Sequence, residues 1–220
     1  MRVLLFVIGI AVAACGSNDV TSIAGGAGGA ATATASSSTA QGSGGGSTGV
    51  YEGFGSQTQG GARGMPCVVS SLDDSGAGTL RDCVSASNRY VTFSVGGTIE
   101  LASSIRMEGL DHITIDGSTA PSPGISVTAG AAGVANALFI VTGASHDIIV
   151  THLRFRDSTD VETGDTFRLY AGSHDIVIDH CSFRRGADGG LDITQDVHDV
   201  TVQFSIIAVS SHDRPTPSKP

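Results

Sequence analysis

From residue 51 onward, short apolar runs alternate with Gly, Asp and Ser punctuation, and one unit recurs. HDIIVTHLRF begins at His146, HDIVIDHCSF at His174 and HDVTVQFSII at His198, with a fainter copy, DHITIDGSTA, at Asp111. Successive copies lie roughly twenty to thirty-five residues apart, the window of stacked-coil architectures. Within each copy, β-branched residues alternate inward and outward, as a strand with one buried face requires. The pattern predicts short strands over 68–71, 90–95, 98–101, 112–116, 124–127, 137–141, 147–152, 166–170, 176–179, 191–194 and 200–204. Such strands are too short, and too evenly broken by Gly, for a sandwich with long hairpins. An all-β, right-handed parallel β-helix is the architecture expected. Between the first two strands, DDSGAGTLRDCV reads as a turn and a short helix, with Thr79 or Ser75 as N-cap and Leu80, Cys83 and Val84 as its apolar stripe. A solenoid cannot leave its first coil open, because exposed core and unpaired edges invite association. The helix is therefore expected to cap the coil stack.

The chain ends read differently. Residues 1–15 open with Met1-Arg2, continue with an apolar run and close on Val12-Ala13-Ala14-Cys15. The run is too short for a stop-transfer helix and reads as an export signal. Small residues directly before Cys15 resemble the bacterial lipobox, in which that cysteine becomes lipidated; an ordinary secretory signal with a chance cysteine is the alternative. Residues 16–50 are nearly all Gly, Ala, Ser and Thr. They hold little that could be buried to offset ordering entropy, and read as a flexible tether. The domain proper is expected over 51–208, with an irregular tail at 209–220 whose alternate prolines cannot continue a sheet ladder.

Composition narrows the function. The formal charge of −9, with no Lys/Arg cluster, argues against a nucleic-acid partner. Trp is absent and aromatics are few, so no sugar-stacking platform is advertised. Of the four cysteines, Cys67 and Cys83 flank one compact segment and are candidates for a disulfide outside the cytoplasm. Cys181 falls within the expected strand unit, as a small buried hydrophobe.

Asp165, Asp188 and Asp192 fall on successive copies of the repeat. Equivalent positions on neighbouring coils stand about 4.8 Å apart, so carboxylates distant in sequence become one cluster in space. That is how a solenoid makes a divalent-cation site. The alternative for Asp188-Gly189-Gly190 is a plain polar turn, since Asp-Gly is a turn signal by itself. Arg168 aligns with Ile140 in the previous repeat and Asp192 in the next, as a structural ion pair or a contact to a substrate carboxylate. The His-Asp dipeptides at 146, 174 and 198 sit at strand entrances and read as turn hydrogen bonding rather than a metal ladder. Asp179-His180 invites an acid/base reading, but adjacent strand residues point to opposite faces, and a structural role is preferred.

Several motifs together resemble the pectate lyases of polysaccharide lyase family 1. They are Gly53-Phe54-Gly55, LDDSGAGTLRDCV, VTFSVGGTIEL, ITIDGSTAP, IDHCSF and DGGLDI. The resemblance covers nearly all of residues 51–208. It implies a parallel β-helix and Ca²⁺-dependent β-eliminative cleavage of polygalacturonate, an acidic polysaccharide. The family's Asp-Gly-Asp calcium motif reads Thr163-Gly164-Asp165 here, so its second acid is present and its first is replaced. Its acid-then-Asp pair, four residues apart, matches Asp188 and Asp192. In the family, the C5 proton is taken by an Arg on a later coil, and this chain ends first. The expectation is therefore a pectate-lyase-like chain, C-terminally truncated, with no catalytic base of its own. It would be an exported monomer, touching the membrane only through a lipid on Cys15, at the bacterial outer membrane or cell surface, or secreted. A non-catalytic, lipid-tethered β-helix that binds acidic polysaccharide or a protein partner is the alternative.

Overall fold

A computed structural model describes residues 3–5, 51–156, 164–186 and 188–208. Cys15, the expected tether at 16–50, Thr163 and the expected tail at 209–220 lie outside the described residues, as does the expected leader apart from residues 3–5. In chain order, β1 (Val3–Leu5) is followed by a 3-10 turn at Gly53–Gln57, β2 (Met65–Val69) and the helix α1 (Leu80–Cys83). Coils of three strands then repeat. The first is β3 (Arg89–Phe93), β4 (Gly97–Leu101) and β5 (Ile105–Glu108). The second is β6 (Asp111–Asp116), β7 (Ile125–Ala129) and β8 (Ala137–Thr142). The third is β9 (His146–Thr151), β10 (Leu153–Arg156) and β11 (Asp165–Leu169), and the fourth β12 (His174–Asp179), β13 (Ser182–Arg184) and β14 (Leu191–Ile193). A further coil begins with β15 (His198–Gln203) and β16 (Ile206–Ala208).

The strands stack into three parallel sheets, ordered β1-β15-β12-β9-β6-β3-β2, β16-β13-β10-β7-β4 and β14-β11-β8-β5. This is the expected right-handed parallel β-helix. Each sheet turns one column of side chains inward, and the columns are in register. In the first sheet Ile113, Ile148, Ile176 and Val200 align. In the second, Val127, Phe155 and Phe183 align, and in the third Ile105, Phe139 and Phe167. The phenyl rings interlock where the last two columns meet. Phe139 stacks on Phe167 at 5.2 Å and Phe155 on Phe183 at 5.3 Å, while Phe155 meets Phe167 edge-on at 5.0 Å. Offset and edge-on aromatic contacts of this kind add about 1 kcal/mol each beyond the area buried.

Within the coils, four strands escape the sequence pattern: β5, β10, β13 and β16. Three of them begin just after a corner that the continuous apolar runs conceal. His152, His180 and Phe204 each take a left-handed φ, at 58°, 50° and 47°. That conformation breaks the expected 147–152 and 200–204 strands and turns the chain into the second sheet. Cys181 consequently lies between β12 and β13 rather than inside a strand. It is buried, its thiol pushed up to about 12 by burial above all, and it is inert as a nucleophile. His180 is corrected as well. Its left-handed backbone swings the ring back to Asp179, Nδ1 to Oδ1 2.9 Å, so the pair does not point to opposite faces. His180 stacks on His152 at 4.7 Å, one coil on the next.

The N-terminal end is closed by α1. The Thr79 side chain caps it by accepting from the Asp82 amide, and Asp82 in turn accepts from the Gly78 amide. Leu80, Cys83 and Val84 are buried. Cys67 and Cys83 form a disulfide, with Cα atoms 5.6 Å apart, tying the helix to β2. Arg81 binds Asp74 and the carbonyls of Ser103 and Ser104, so the loop before the helix is stitched to the first coil.

The segment from Glu52 to Gly64 runs across the outside of the first sheet. Thr201 accepts from the Gly55 amide at 2.9 Å at one end, and Thr114 accepts from the Gly61 amide at 2.9 Å at the other. Beneath it Thr114, Ile149, Val177 and Thr201 are buried although they face away from the solenoid core. Glycine is required here by proximity: a Cβ on Gly61 would stand 1.8 Å from the Arg89 carbonyl oxygen.

Candidate functional site

Among the described residues, no segment covers the outer face of the third sheet. Strand pairing puts Arg106, Ile140, Arg168 and Asp192 in one row across β5, β8, β11 and β14. Arg168 thus pairs with Ile140 and Asp192, the register that the repeats predict. Beside the row runs an open groove of about 300 Å³, lined by Arg106, Asn136, Arg168, Tyr170, Asp192 and Gln195 among others. Arg106, Arg168 and Asp192 face outward because an alternating strand must put every second residue outside.

Asp165 begins β11 and is almost wholly buried, its side chain 2% exposed. Its Oδ2 accepts from Arg168 Nη2 at 2.5 Å and Nε at 3.0 Å. The same Nε lies 3.0 Å from Asp192 Oδ2. One guanidinium therefore bridges two carboxylates from neighbouring coils. The turn carrying Asp188 packs on Asp165 from the next coil: the Asp188 amide donates to the Gly164 carbonyl at 3.1 Å, and the Thr166 hydroxyl donates to the Gly190 carbonyl. A Cβ on Gly189 would stand 2.9 Å from Asp165 Oδ1, so glycine lets the turn close over the buried acid.

Burial is the chief influence on Asp165 and raises its pKa; Arg168 opposes that by charge and hydrogen bonding, and the charges of Asp192 and Asp188 add to the rise. All three acids therefore share one electrostatic field. Farther along the groove, Arg106 pairs with Glu108 at 2.8 Å and stands over the Tyr170 ring at 5.6 Å. Hydrogen bonding with Thr142 and then Arg106 draws the Tyr170 phenol below its ordinary range.

No family model matches the chain. Among curated proteins, it is 40% identical over 157 residues to a probable pectate lyase C of Aspergillus oryzae, covering 71% of this chain and 35% of the relative. The corresponding proteins of Neosartorya fischeri and Emericella nidulans are 38% and 37% identical over the same length. Among solved structures, it resembles the crystal structure of jun a 1, the major allergen from cedar pollen. The TM-score is 0.55 at 25% identity, covering 68% of this chain and 46% of that one. The chain is similar in sequence to probable pectate lyases and shares the parallel β-helix fold of the pollen allergen. It spans about a third of the length of the curated relatives it matches.

In this pectate lyase-like frame, the acids named from sequence take distinct places. Asp165 and Asp192 converge on a single point, with Asp188 in the flanking turn. Carboxylate oxygens are the donors that a hard cation such as Ca²⁺ takes, so the residues fit such an ion in kind. The cation at the point of convergence is the Arg168 guanidinium. Arg106 and Tyr170 were missed in the sequence. The signal was present as Ile105-Arg106-Met107-Glu108, a strict apolar–charged alternation. A second cluster, Asp111, His112 and His146, lies at the entrance to the first-sheet strands and has one ligand atom of each within 4.8 Å of the others.

Proposed function

We propose that this chain acts on acidic polysaccharide through the outer face of its third sheet, as a calcium-dependent, pectate-lyase-like β-eliminating protein. The observation that carries the reading is the convergence of Asp165 and Asp192 on one cation beside an open groove bordered by Arg106. An anionic substrate approaching a chain of net charge −9 needs local positive charge; Arg106 and Arg168 stand in a single row but are each paired with carboxylates, so a bound calcium ion would supply the balance. Asp165, Asp188 and Asp192 would hold calcium, with Arg168 turning outward to a substrate carboxylate. When bound, the ion neutralises charge that develops as the C5 proton leaves. The proton acceptor is not assigned to a residue of this chain.

A second reading, binding without turnover, is favoured by Thr163, which stands where the resembled motif has an acid. In either case the protein is exported, with Cys15 as a lipid attachment point and 16–50 as the tether of a monomer at the cell surface. Cleavage before Cys15 would also remove β1 from the edge of the first sheet.

Incubation with polygalacturonate and calcium, followed by the ultraviolet absorbance of unsaturated products, tests the enzyme reading. Product formation that needs calcium supports it. Calcium-dependent retention on immobilised polygalacturonate without product supports binding alone. Neither product nor retention removes both readings.

A further inference from the structure

We propose that Asp111, His112 and His146 form a binding site for a transition-metal dication of the zinc type, separate from the acids of the third sheet. The site arises from one irregularity in the repeat. The later coils enter the first sheet with His-Asp, at His146-Asp147, His174-Asp175 and His198-Asp199, whereas the second coil enters with the inverted order Asp111-His112. Where the order is regular, like stacks on like: His146 on His174 at 5.0 Å and His174 on His198 at 4.9 Å, with rings nearly parallel. At the inversion, Asp111 takes the ladder position opposite His146. His112 takes the position of the later aspartates and meets His146 edge-on, rings 6.0 Å apart and inclined by 74°. Two imidazoles and a carboxylate then offer ligand atoms all within 4.8 Å of one another.

The backbone holds this placement. His112, Asp147, Asp175 and Asp199 all share a left-handed φ between 51° and 53°. The turn hydrogen bonds expected at these dipeptides are present and support the site. His146 Nδ1 lies 3.2 Å from the Ala144 carbonyl, which accepts its proton and leaves the Nε2 lone pair for a metal. A carbonyl fixing the far nitrogen is the usual second layer of a histidine metal ligand. His112 Nδ1 lies 2.9 Å from Asp111 Oδ1, and its Nε2 lies 3.7 Å from Asp147 Oδ2, so a further carboxylate stands close by. Two imidazoles with a carboxylate suit zinc, nickel or copper and not calcium, which takes oxygen. The cluster is half-exposed, leaving positions for water or another ligand.

Isothermal titration of the full chain with zinc chloride, in excess calcium to occupy hard-donor sites, tests the proposal. One equivalent should bind. His146→Ala and the order-restoring double variant D111H/H112D should each weaken binding at least tenfold, by removing or misplacing a ligand. His198→Ala and His180→Ala should leave it unchanged. Thermal melts without zinc establish that each variant is folded, and zinc should raise the melting temperature of the wild type but not of D111H/H112D. Absence of binding, or binding that survives both His146→Ala and D111H/H112D, overturns the site.

Discussion

The outer faces of the first and third sheets share one backbone and differ in what lies over them. The first carries Thr114, Ile149, Val177 and Thr201, sealed beneath the segment from Glu52 to Gly64. The third carries Arg106, Ile140, Arg168 and Asp192 and stays open. Both rows follow from the same period of two along a strand and the same coil register. A solenoid thus offers several equivalent rows, and side-chain chemistry decides which becomes a second core and which becomes a site. Small and β-branched residues invite a covering segment with glycines at close approach, whereas paired charges keep a face wet.

The comparison breaks most severely at Gly61. Gly61→Val should lift the covering segment off the first sheet, because its Cβ meets backbone rather than a mobile side chain. A loss of about 3 kcal/mol or more, in the range of severe packing defects, is expected in urea unfolding. On the third face Ile140 is also buried but borders the open groove, so Ile140→Phe has volume beside it and should cost less.

On the open face the largest effect belongs to Arg168. Arg168→Ala leaves Asp165 buried without its cation, and a loss of about 2–3 kcal/mol is expected from the cost of an uncompensated buried charge. The double variant Arg168→Ala/Asp165→Asn should regain most of it, a coupling readable in a double-mutant cycle.

The pH dependence of the same pair sharpens the picture. Burial raises the pKa of Asp165 in the folded chain. Its contribution is therefore full below the ordinary carboxylate range and is lost as pH rises through the raised folded value. The melting temperature of Asp165→Asn relative to wild type should grow more favourable from about pH 3 to about pH 7, across the carboxylate range. A difference that is flat, or that falls with rising pH, would mean that Arg168 outweighs burial. The smallest effect is reserved for Asp192, whose carboxylate is partly solvated. Asp192→Asn should cost no more than about 1 kcal/mol without metal.

Much of the solenoid was legible because a β-helix writes its period into the chain. The repeat at His146, His174 and His198 set the first sheet and its register, and through it the pairing of Arg168 with Asp192. The second and third sheets were less visible. Their strands are short, and the corners at His152, His180 and Phe204 are made by left-handed residues that ordinary side chains seldom adopt. Nothing in HDIIVTHLRF marks the break at His152. The acids of the third face could be named and Arg168 set beside Asp192, but that one guanidinium also holds Asp165 could not be read, because it depends on rotamers at the groove. The cover on the first sheet was hidden for another reason: no sequence pattern marks Gly61, and only its distance to Arg89 makes it a packing requirement.

The most direct test is a calcium titration followed by thermal melting of wild type and Asp192→Ala. A ligand that binds only the folded chain raises stability by about 2.7 kcal/mol at a hundredfold excess over its dissociation constant. Wild type should therefore gain melting temperature steadily with calcium, and Asp192→Ala should lose most of that gain. If Asp192→Ala keeps the full calcium-dependent shift, the carboxylates of the third face are not the cation site.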